Sequence, residues 1–346
     1  MKLKIVNIFF IIILFECFSI KIACPGTNTY NMTNSLMTRA KAMGGAYFSV
    51  SDPLSGAFFN PASVNLYRYP RSTRVAFFLN PVGAASLIND ANELSSNNKY
   101  DSIDWINVAG ILTKGFAVSR PAFSAVLVLS EELPRQTLPE NQCNKNLISS
   151  KGILDWNYDV LAVKLRLAEQ ISIGASGFLF TSMIGDSRSR RYGSSYGILI
   201  QPYSNISVGV AYFDIPSNVA DLMLLQNRII DETINVGISI KPFNSLSFSL
   251  DSYNVSEDNA KITRELHVGS EFVPGKLLAL RAGFFREQDT KNDVYSVGLG
   301  LIDNNLFRST DDSFSSHDFA LNYGLQLKKL ENIIYYQHYL TFLLRF

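Results

Sequence analysis

The chain has 346 residues, of which 47% are hydrophobic, 12% aromatic and 18% charged, whereas charged residues make up about 25% of a typical soluble domain. Its 31 basic and 30 acidic residues almost cancel, which argues against a nucleic-acid binder because such proteins need a concentrated positive surface. With three His and three Cys, we expect no metal site, no disulfide framework and no cofactor.

Residues 1–24 have the pattern of a secretory signal peptide. Two lysines precede an apolar stretch over residues 5–15, and small or uncharged residues follow near residue 19. Two alternatives are weaker. A lipoprotein would use Cys24, but Lys21 stands where an apolar residue is expected, and an uncleaved anchor would need an apolar run of about 20 residues. We therefore expect an exported protein.

Residues 25–70 precede the first predicted strand and are rich in small side chains. Gly44-Gly45 and Asp52-Pro53 are turn formers, and Asn60-Pro61 starts a new local structure. The stretch around residues 57–59 is too apolar for a disordered tail, and a barrel of about fourteen strands has room inside its lumen. We therefore predict a hatch, or plug, inside the lumen.

Residues 71–346 alternate between apolar and polar side chains over long runs, as strands with one apolar face do. In one such run, apolar residues at 234, 236, 238 and 240 are separated by Asn, Gly and Ser. About fourteen strands are predicted, beginning near Arg71, Asp104, Pro121, Leu154, Gln170, Ser189, Asn205, Asp231, Ser245, Ile262, Leu277, Asp293, His317 and Tyr335. The second and third strands are the least clearly marked.

Three features favour a transmembrane antiparallel β-barrel over a soluble sandwich, which would alternate in the same way. The runs are about 10 to 12 residues long. Short joins such as 203–204 alternate with long ones such as 131–152. Tyrosines lie near the strand ends, as aromatic girdles require: Tyr192, Tyr203, Tyr253, Tyr335, Tyr336 and Tyr339. One polar stretch, 302–316, is long where a short join is expected.

The last strand has the pattern that the barrel assembly machinery of bacterial outer membranes reads, an amphipathic strand ending in an aromatic residue. We predict this assembly signal from residues that share one apolar face: Tyr336, Leu340, Phe342, Leu344 and Phe346. With the signal peptide, it places the protein in the bacterial outer membrane, among outer-membrane lipids.

Charged residues on the polar faces of the strands are predicted to face the lumen, because each would cost about 2 to 4 kcal/mol at the lipid midplane. These residues are Lys164, Arg166, Lys241, Glu271 and Arg281. We expect Arg39 and Lys41 to tether the hatch to a lumen carboxylate such as Glu271. The three histidines lie on separate strands without a paired nucleophile, so we expect no enzyme.

Residues 39–66, RAKAMGGAYFSVSDPLSGAFFNPASVNL, resemble the opening of the PorV/PorQ proteins in the FadL-like group of outer-membrane barrels. The matching hatch positions are Arg39, Met43, Gly44, Gly45, Asp52, Asn60 and Pro61. The stretch over 264–285, with Gly269, Glu271 and Gly283, is similar to a hairpin of that family, and 317–325 and 338–346 look like its last two strands.

The resemblance implies an accessory or docking role in protein secretion or envelope assembly, with secretion-system proteins or cargo as partners. The alternative is a FadL-like transporter of long-chain fatty acids or other hydrophobic small molecules, since that group shares the opening motif. The hatch and the mixed lumen charges disfavour a general diffusion porin.

Overall fold

Strands of one antiparallel sheet form most of the computed structural model, which describes residues 28–32, 35–65, 73–85, 87–88, 102–132, 156–184, 187–215, 228–257, 263–274, 278–301, 318–330 and 333–346. The strands in this part of the chain are β1 (Asn28–Met32), β2 (Arg74–Leu79), β3 (Gly115–Arg120), β4 (Phe123–Glu132), β5 (Trp156–Ala168), β6 (Ile171–Ile184), β7 (Ser187–Tyr203), β8 (Ile206–Asp214), β9 (Thr233–Phe243), β10 (Leu246–Tyr253), β11 (Glu265–Phe272), β12 (Leu278–Arg286), β13 (Asp293–Leu301), β14 (Asp318–Leu330) and β15 (Ile333–Arg345). The helices with defined bounds are α1 (Thr38–Ala42), α2 (Gly56–Phe59) and α3 (Ser102–Leu112), with a 3₁₀ turn over Pro61–Ser63.

Strands β2 to β15 pair in sequence order and close into a barrel through β15 and β2. Leu344 pairs with Leu79 and Arg345 with Phe78, and the backbone groups of Phe77 and Phe346 exchange two hydrogen bonds of 3.1 and 3.0 Å. Closure leaves no open sheet edge at this level. The prediction of an antiparallel barrel of about fourteen strands is confirmed in the described part of the chain.

The two faces of the strands differ as the alternation predicts. On β8, Ser207, Gly209 and Ala211 are buried and face the lumen. The next residue, Tyr212, is exposed on the outer face. Large apolar side chains are exposed on the outer wall of eleven of the fourteen barrel strands. An exposed apolar surface of this extent marks a site of protein or membrane interaction. Here it matches the lipid-facing band of a membrane barrel.

The predicted girdle is partly wrong. Tyr192 and Tyr203 lie exposed on the outer wall, but Tyr253 and Tyr339 point inward and are buried. Residue type at a strand end does not fix the face, because the face depends on parity along the strand.

The strand predicted from Asp104 is also wrong, because residues 102–112 form helix α3 and the strand begins only at Gly115. An apolar run of this length fits either a buried helix or a strand. The other thirteen predicted starts lie within three residues of the observed ones. Strands β2 and β3 are consequently short, with six residues each.

The region before β2 contains a strand that the sequence did not predict. Strand β1 pairs parallel with β15, from Asn28 opposite Tyr335 to Met32 opposite Tyr339. It occupies the edge of β15 beyond the point where β2 pairs. The predicted signal peptide and the 302–316 stretch lie outside the described residues.

Residues 35–65, called the lumen segment below, lie inside the barrel, and nearly all of them are buried. We call the barrel end with the two-residue turns 121–122, 169–170, 204–205 and 244–245 the turn end, and the opposite end the loop end. None of the described helices is long and apolar enough to cross a bilayer.

Candidate functional site

The lumen segment is fitted against a belt of inward glycines in the barrel wall. The glycine belt consists of Gly174, Gly197, Gly209, Gly237, Gly269, Gly283, Gly298 and Gly324. They form four directly opposed pairs on neighbouring strands: 174 with 197, 209 with 237, 269 with 283, and 298 with 324. Glycine allows another backbone to approach a strand closely.

At seven of the eight belt positions, the atom nearest to an added Cβ would belong to the lumen segment. At Gly209 the added atom would lie 2.0 Å from the Phe48 carbonyl oxygen, and at Gly283 it would lie 2.1 Å from the Gly44 nitrogen. Gly44 itself has a φ of +65°, and Gly45 has a φ of +82°, which other residues adopt only with strain. Wall and lumen segment are therefore shaped to each other.

A buried ion network joins the lumen segment to β11 and β12. Arg39 donates from Nε and Nη2 to the two oxygens of Glu271 at 2.8 and 2.9 Å, and from Nη1 to Asp52 at 2.9 Å. Arg281 donates to Glu271 at 2.8 Å and to Asn322 at 2.8 Å. Burial acts to lower the pKa of Arg39, but the facing Glu271 outweighs it and holds that pKa above its usual value. Arg39 is thus a permanent cation between two carboxylates.

Two hatch-motif residues, Asp52 and Asn60, organise the lumen segment itself. The Asp52 carboxylate accepts from Leu54 N and Ser55 N at 3.0 and 2.7 Å. Asn60 donates to the carbonyls of Phe48 and Ile198 at 2.8 and 3.0 Å and accepts from Ala62 N at 3.0 Å. The motif therefore serves both to shape the segment and to hold it to the wall.

Two further wall residues, which the sequence did not single out, bind the backbone of the lumen segment. The Asp251 carboxylate accepts from the backbone amides of Tyr47 and Phe48. The His267 ring lies 2.6 Å from the Gly44 carbonyl oxygen and is stacked between Tyr253 and Phe285, with centroid distances of 3.9 and 4.4 Å. The sequence does place both residues at inward-facing strand positions: Asp251 lies opposite Gly237, and His267 lies two residues before Gly269.

Lys41 does not share the Glu271 contact expected for it. Its backbone carbonyl accepts from Gln326 at 2.9 Å, and its side chain has no carboxylate partner among the described residues. Burial, with repulsion from Arg228, lowers the pKa of the Lys41 amine to about 7. Lys41 is the part of the predicted tether that the structure does not bring to Glu271.

A second ion network lies at the loop end. Arg228 contacts Glu265 at 2.5 Å, Asp289 at 2.6 Å and Glu287 at 3.5 Å, and Lys328 contacts Glu287 at 2.7 Å. Burial acts against the charge of Arg228, but the hydrogen bond and charge of Glu265 leave its pKa above the usual value. This network ties the loop before β9 to the ends of β11, β12 and β14.

An aromatic cluster joins the lumen segment to the loop-end half of the barrel wall. Phe48 packs against Tyr253 at 4.8 Å and Phe213 at 6.3 Å between ring centroids, and Phe58 packs against Tyr158 at 5.6 Å. We call the following buried residues the aromatic cluster: Tyr47, Phe48, Phe58, Phe59, Tyr158, Phe178, Phe180, Phe213 and Tyr253. Its wall members come from the loop-end halves of β5, β6, β8 and β10.

The remaining predicted lumen charges lie apart from these networks. Lys164 faces inward on β5 and is buried, Arg166 is half-buried, and Lys241 is exposed near the turn end of β9. The residues of the predicted assembly signal, from Tyr336 to Phe346, alternate with the buried Tyr339, Thr341, Leu343 and Arg345, which places them on the outer face of β15. The described residues include no group of three His, Cys, Asp or Glu side chains that could hold a metal ion.

Comparisons with known proteins give only distant likenesses. No family model matches the chain, and no curated protein matches it. Among solved structures, the Ralstonia pickettii toluene transporter TbuX matches with a TM-score of 0.44 and 11% identity, over 90% of this chain and 97% of that one. A triple mutant of the Rhodopseudomonas blastica porin matches with a TM-score of 0.34 and 13% identity, over 67% and 75% of the two chains. The fold described above rests on the strand pairing of this chain.

Proposed function

We propose that the protein is a bacterial outer-membrane barrel that takes up hydrophobic small molecules, with its turn end in the periplasm and its loop end outside. The apolar outer wall supports a membrane location, and the apolar outer face of β15, with Leu340, Phe342 and Leu344, suits recognition by the barrel assembly machinery. Short turns on the periplasmic side and longer loops outside are the usual arrangement.

The observation that carries the proposal is the combination of a seated lumen segment with an aromatic cluster on its outer side. The glycine belt and the Arg39 contacts hold the segment across the lumen, which disfavours an open diffusion pore. The cluster at the loop end is apolar, as small-molecule sites mostly are. A hydrophobic ligand would enter there by displacing loop-end side chains, and the lumen segment would act as a hatch.

A second candidate is the accessory role in secretion or envelope assembly, with exported proteins or cargo as partners. One observation favours it: the lumen segment is fitted so closely at Gly209 and Gly283 that the barrel suits a rigid docking body. The family-like hairpin with Gly269, Glu271 and Gly283 contacts Arg39, Met43 and Gly44. Both roles require a seated hatch, so this hairpin does not separate them.

Native mass spectrometry of the protein purified from its own outer membrane in mild detergent separates the two candidates. A chain carrying one or two small apolar adducts supports transport, whereas a stable complex with envelope or exported proteins supports the accessory role. A bare chain that also fails to retain added naphthalene or a long-chain fatty acid contradicts the transport proposal.

Two matched variants connect any adduct to the aromatic cluster. Phe213→Ala removes a fully buried ring of the cluster, whereas Phe284→Ala removes an exposed ring of the outer wall. Burying a phenyl ring contributes about 1.5–3 kcal/mol, so Phe213→Ala should weaken ligand retention about tenfold or more. Phe284→Ala should leave it unchanged. Equal retention by both variants would place the ligand elsewhere.

A further inference from the structure

Lys164 is a buried cation that has no hydrogen-bond partner in the part of the chain that the structure describes. It faces the lumen on β5, is 6% exposed, and has no hydrogen bond or carboxylate contact among the described residues. The charged side chain that acts on it is Arg166, a second cation on the same strand. An unpaired buried charge is costly, and ionisable residues at membrane depth usually mark a functional site.

The residues beside Lys164 continue the site across three neighbouring strands. In the strand register, Lys164 stands opposite Ser124, Ser124 opposite Ser119, and Ser119 opposite Arg74. The hydroxyls of Ser119 and Ser124 lie 2.9 Å apart, and both serines are buried. Because side chains directly opposite each other are about 5 Å apart, these four residues form a continuous strip of hydrogen-bond donors.

The lumen segment contacts the barrel wall beside Lys164. An added Cβ at Gly174, opposite Lys164, would lie 2.4 Å from the Pro61 carbonyl carbon, and Ser172 donates to the Ala62 carbonyl at 3.1 Å. The strip therefore lies in the turn-end part of the lumen, beside the 3₁₀ turn.

The charge of this wall is strongly positive at the turn end. The described residues near the turn ends of β2 to β5 and in the turn to β6 include the cations Arg74, Arg120, Lys164 and Arg166 and one carboxylate, that of Glu169. The carboxylates of Glu131, Glu132 and Asp159 lie toward the loop end of β4 and β5. Glu169 is exposed in the turn, outside the strip. The wall therefore attracts an anion.

We infer that the strip of Arg74, Ser119, Ser124 and Lys164 binds a phosphate group that enters from the turn end. A phosphate offers three strong acceptor oxygens, which match two hydroxyl donors and a cation better than a carboxylate does. The site lies on the opposite side of the lumen segment from the aromatic cluster, so it goes beyond the proposed function and does not depend on it.

Titration of the purified barrel in a non-ionic detergent tests the inference with two probes, inorganic phosphate and dihexanoyl phosphatidate, followed by calorimetry and by ³¹P line broadening. Saturable binding of inorganic phosphate identifies a free anion as the ligand. Saturable binding of the phosphatidate alone identifies a lipid head group. Absence of saturable binding for both probes overturns the inference.

The variants locate the site. Hydrogen bonds to charged groups are stronger than those between neutral groups, so Lys164→Met should weaken binding at least tenfold, and Lys164→Arg should restore most of it. Lys241→Met, which removes an exposed cation near the turn end of β9, should change affinity less than twofold. Ser124→Ala keeps every charge and should still weaken binding, which covers the case that Lys164→Met fails to fold. Equal losses in Lys164→Met and Lys241→Met would show general charge attraction and overturn the site.

Discussion

Replacing Gly283 by Ala tests whether the barrel wall is shaped to the lumen segment. The added methyl carbon would lie 2.1 Å from the Gly44 nitrogen and 2.2 Å from the Met43 carbonyl carbon. Both are backbone atoms, so no side-chain rotation relieves the contact. Either β12 moves outward or the lumen segment leaves its seat. Gly177→Ala is the matched control, because an added Cβ there meets nothing within 4 Å.

The two variants should differ in sign. Overpacking of a filled interior costs about 1–3 kcal/mol, and a contact with backbone on the facing side should fall at the upper end of that range. Ala in place of Gly at an unstrained position instead stabilises by about 0.4–1 kcal/mol, because it restricts the unfolded chain. The free energy of unfolding should therefore differ by about 2–4 kcal/mol between Gly283→Ala and Gly177→Ala.

Two readouts check this expectation. Urea unfolding, followed by the mobility of unheated samples in SDS gels, gives the stability difference. Trypsin cleavage shows whether the lumen segment stays in place, because Arg39 and Lys41 are buried in the native barrel. The bonds after these two residues should be cut only in Gly283→Ala. Equal unfolding midpoints and no new cleavage after Lys41 would refute the close fit.

Two further predictions concern the charges of the lumen segment. Glu271→Gln leaves Arg39 and Arg281 facing an uncharged amide, so it should destabilise the barrel by about 3–5 kcal/mol and allow trypsin to cleave after Arg39. The control Glu169→Gln, in the exposed turn, should cause neither change. Unchanged protection of Arg39 in Glu271→Gln would contradict the tether. Burial lowers the pKa of Lys41 from 10.5 to about 7, so the unfolded chain binds more protons between these values and stability should rise with pH across that window. Lys41→Met should flatten this rise in urea unfolding at about pH 7 and about pH 10, and an unchanged pH dependence would contradict the shift.

The alternation of the sequence determines the barrel, because side-chain direction along a strand is a local property with a period of two residues. Thirteen strand starts lie within three residues of their predicted positions for this reason. The failure at Asp104 has the same origin, since an apolar run without alternation carries no information on strand against helix.

Contacts between the lumen segment and the wall do not follow from local periodicity, because they join residues that are far apart in the sequence. Arg39 and Glu271 are 232 positions apart, and His267 and Gly44 are 223 positions apart. The sequence limited the partners of Arg39 to inward carboxylates. It could not show that Lys41 points elsewhere, or that Asp251 and His267 bind the segment's backbone.

The sequence by itself therefore determined most of the wall: the number of its strands, thirteen of their starts and the inward direction of Glu271 and Arg281. Only the tertiary structure decided what the wall encloses. The position of the lumen segment depends on eight glycines drawn from eight strands, and the parallel pairing of β1 depends on an edge of β15 that β2 leaves open. The lack of a hydrogen-bond partner for Lys164 among the described residues depends on the strands on either side of it. Closure of the barrel brings these residues together, because ring geometry, and not local periodicity, sets which inward side chains share one level of the lumen.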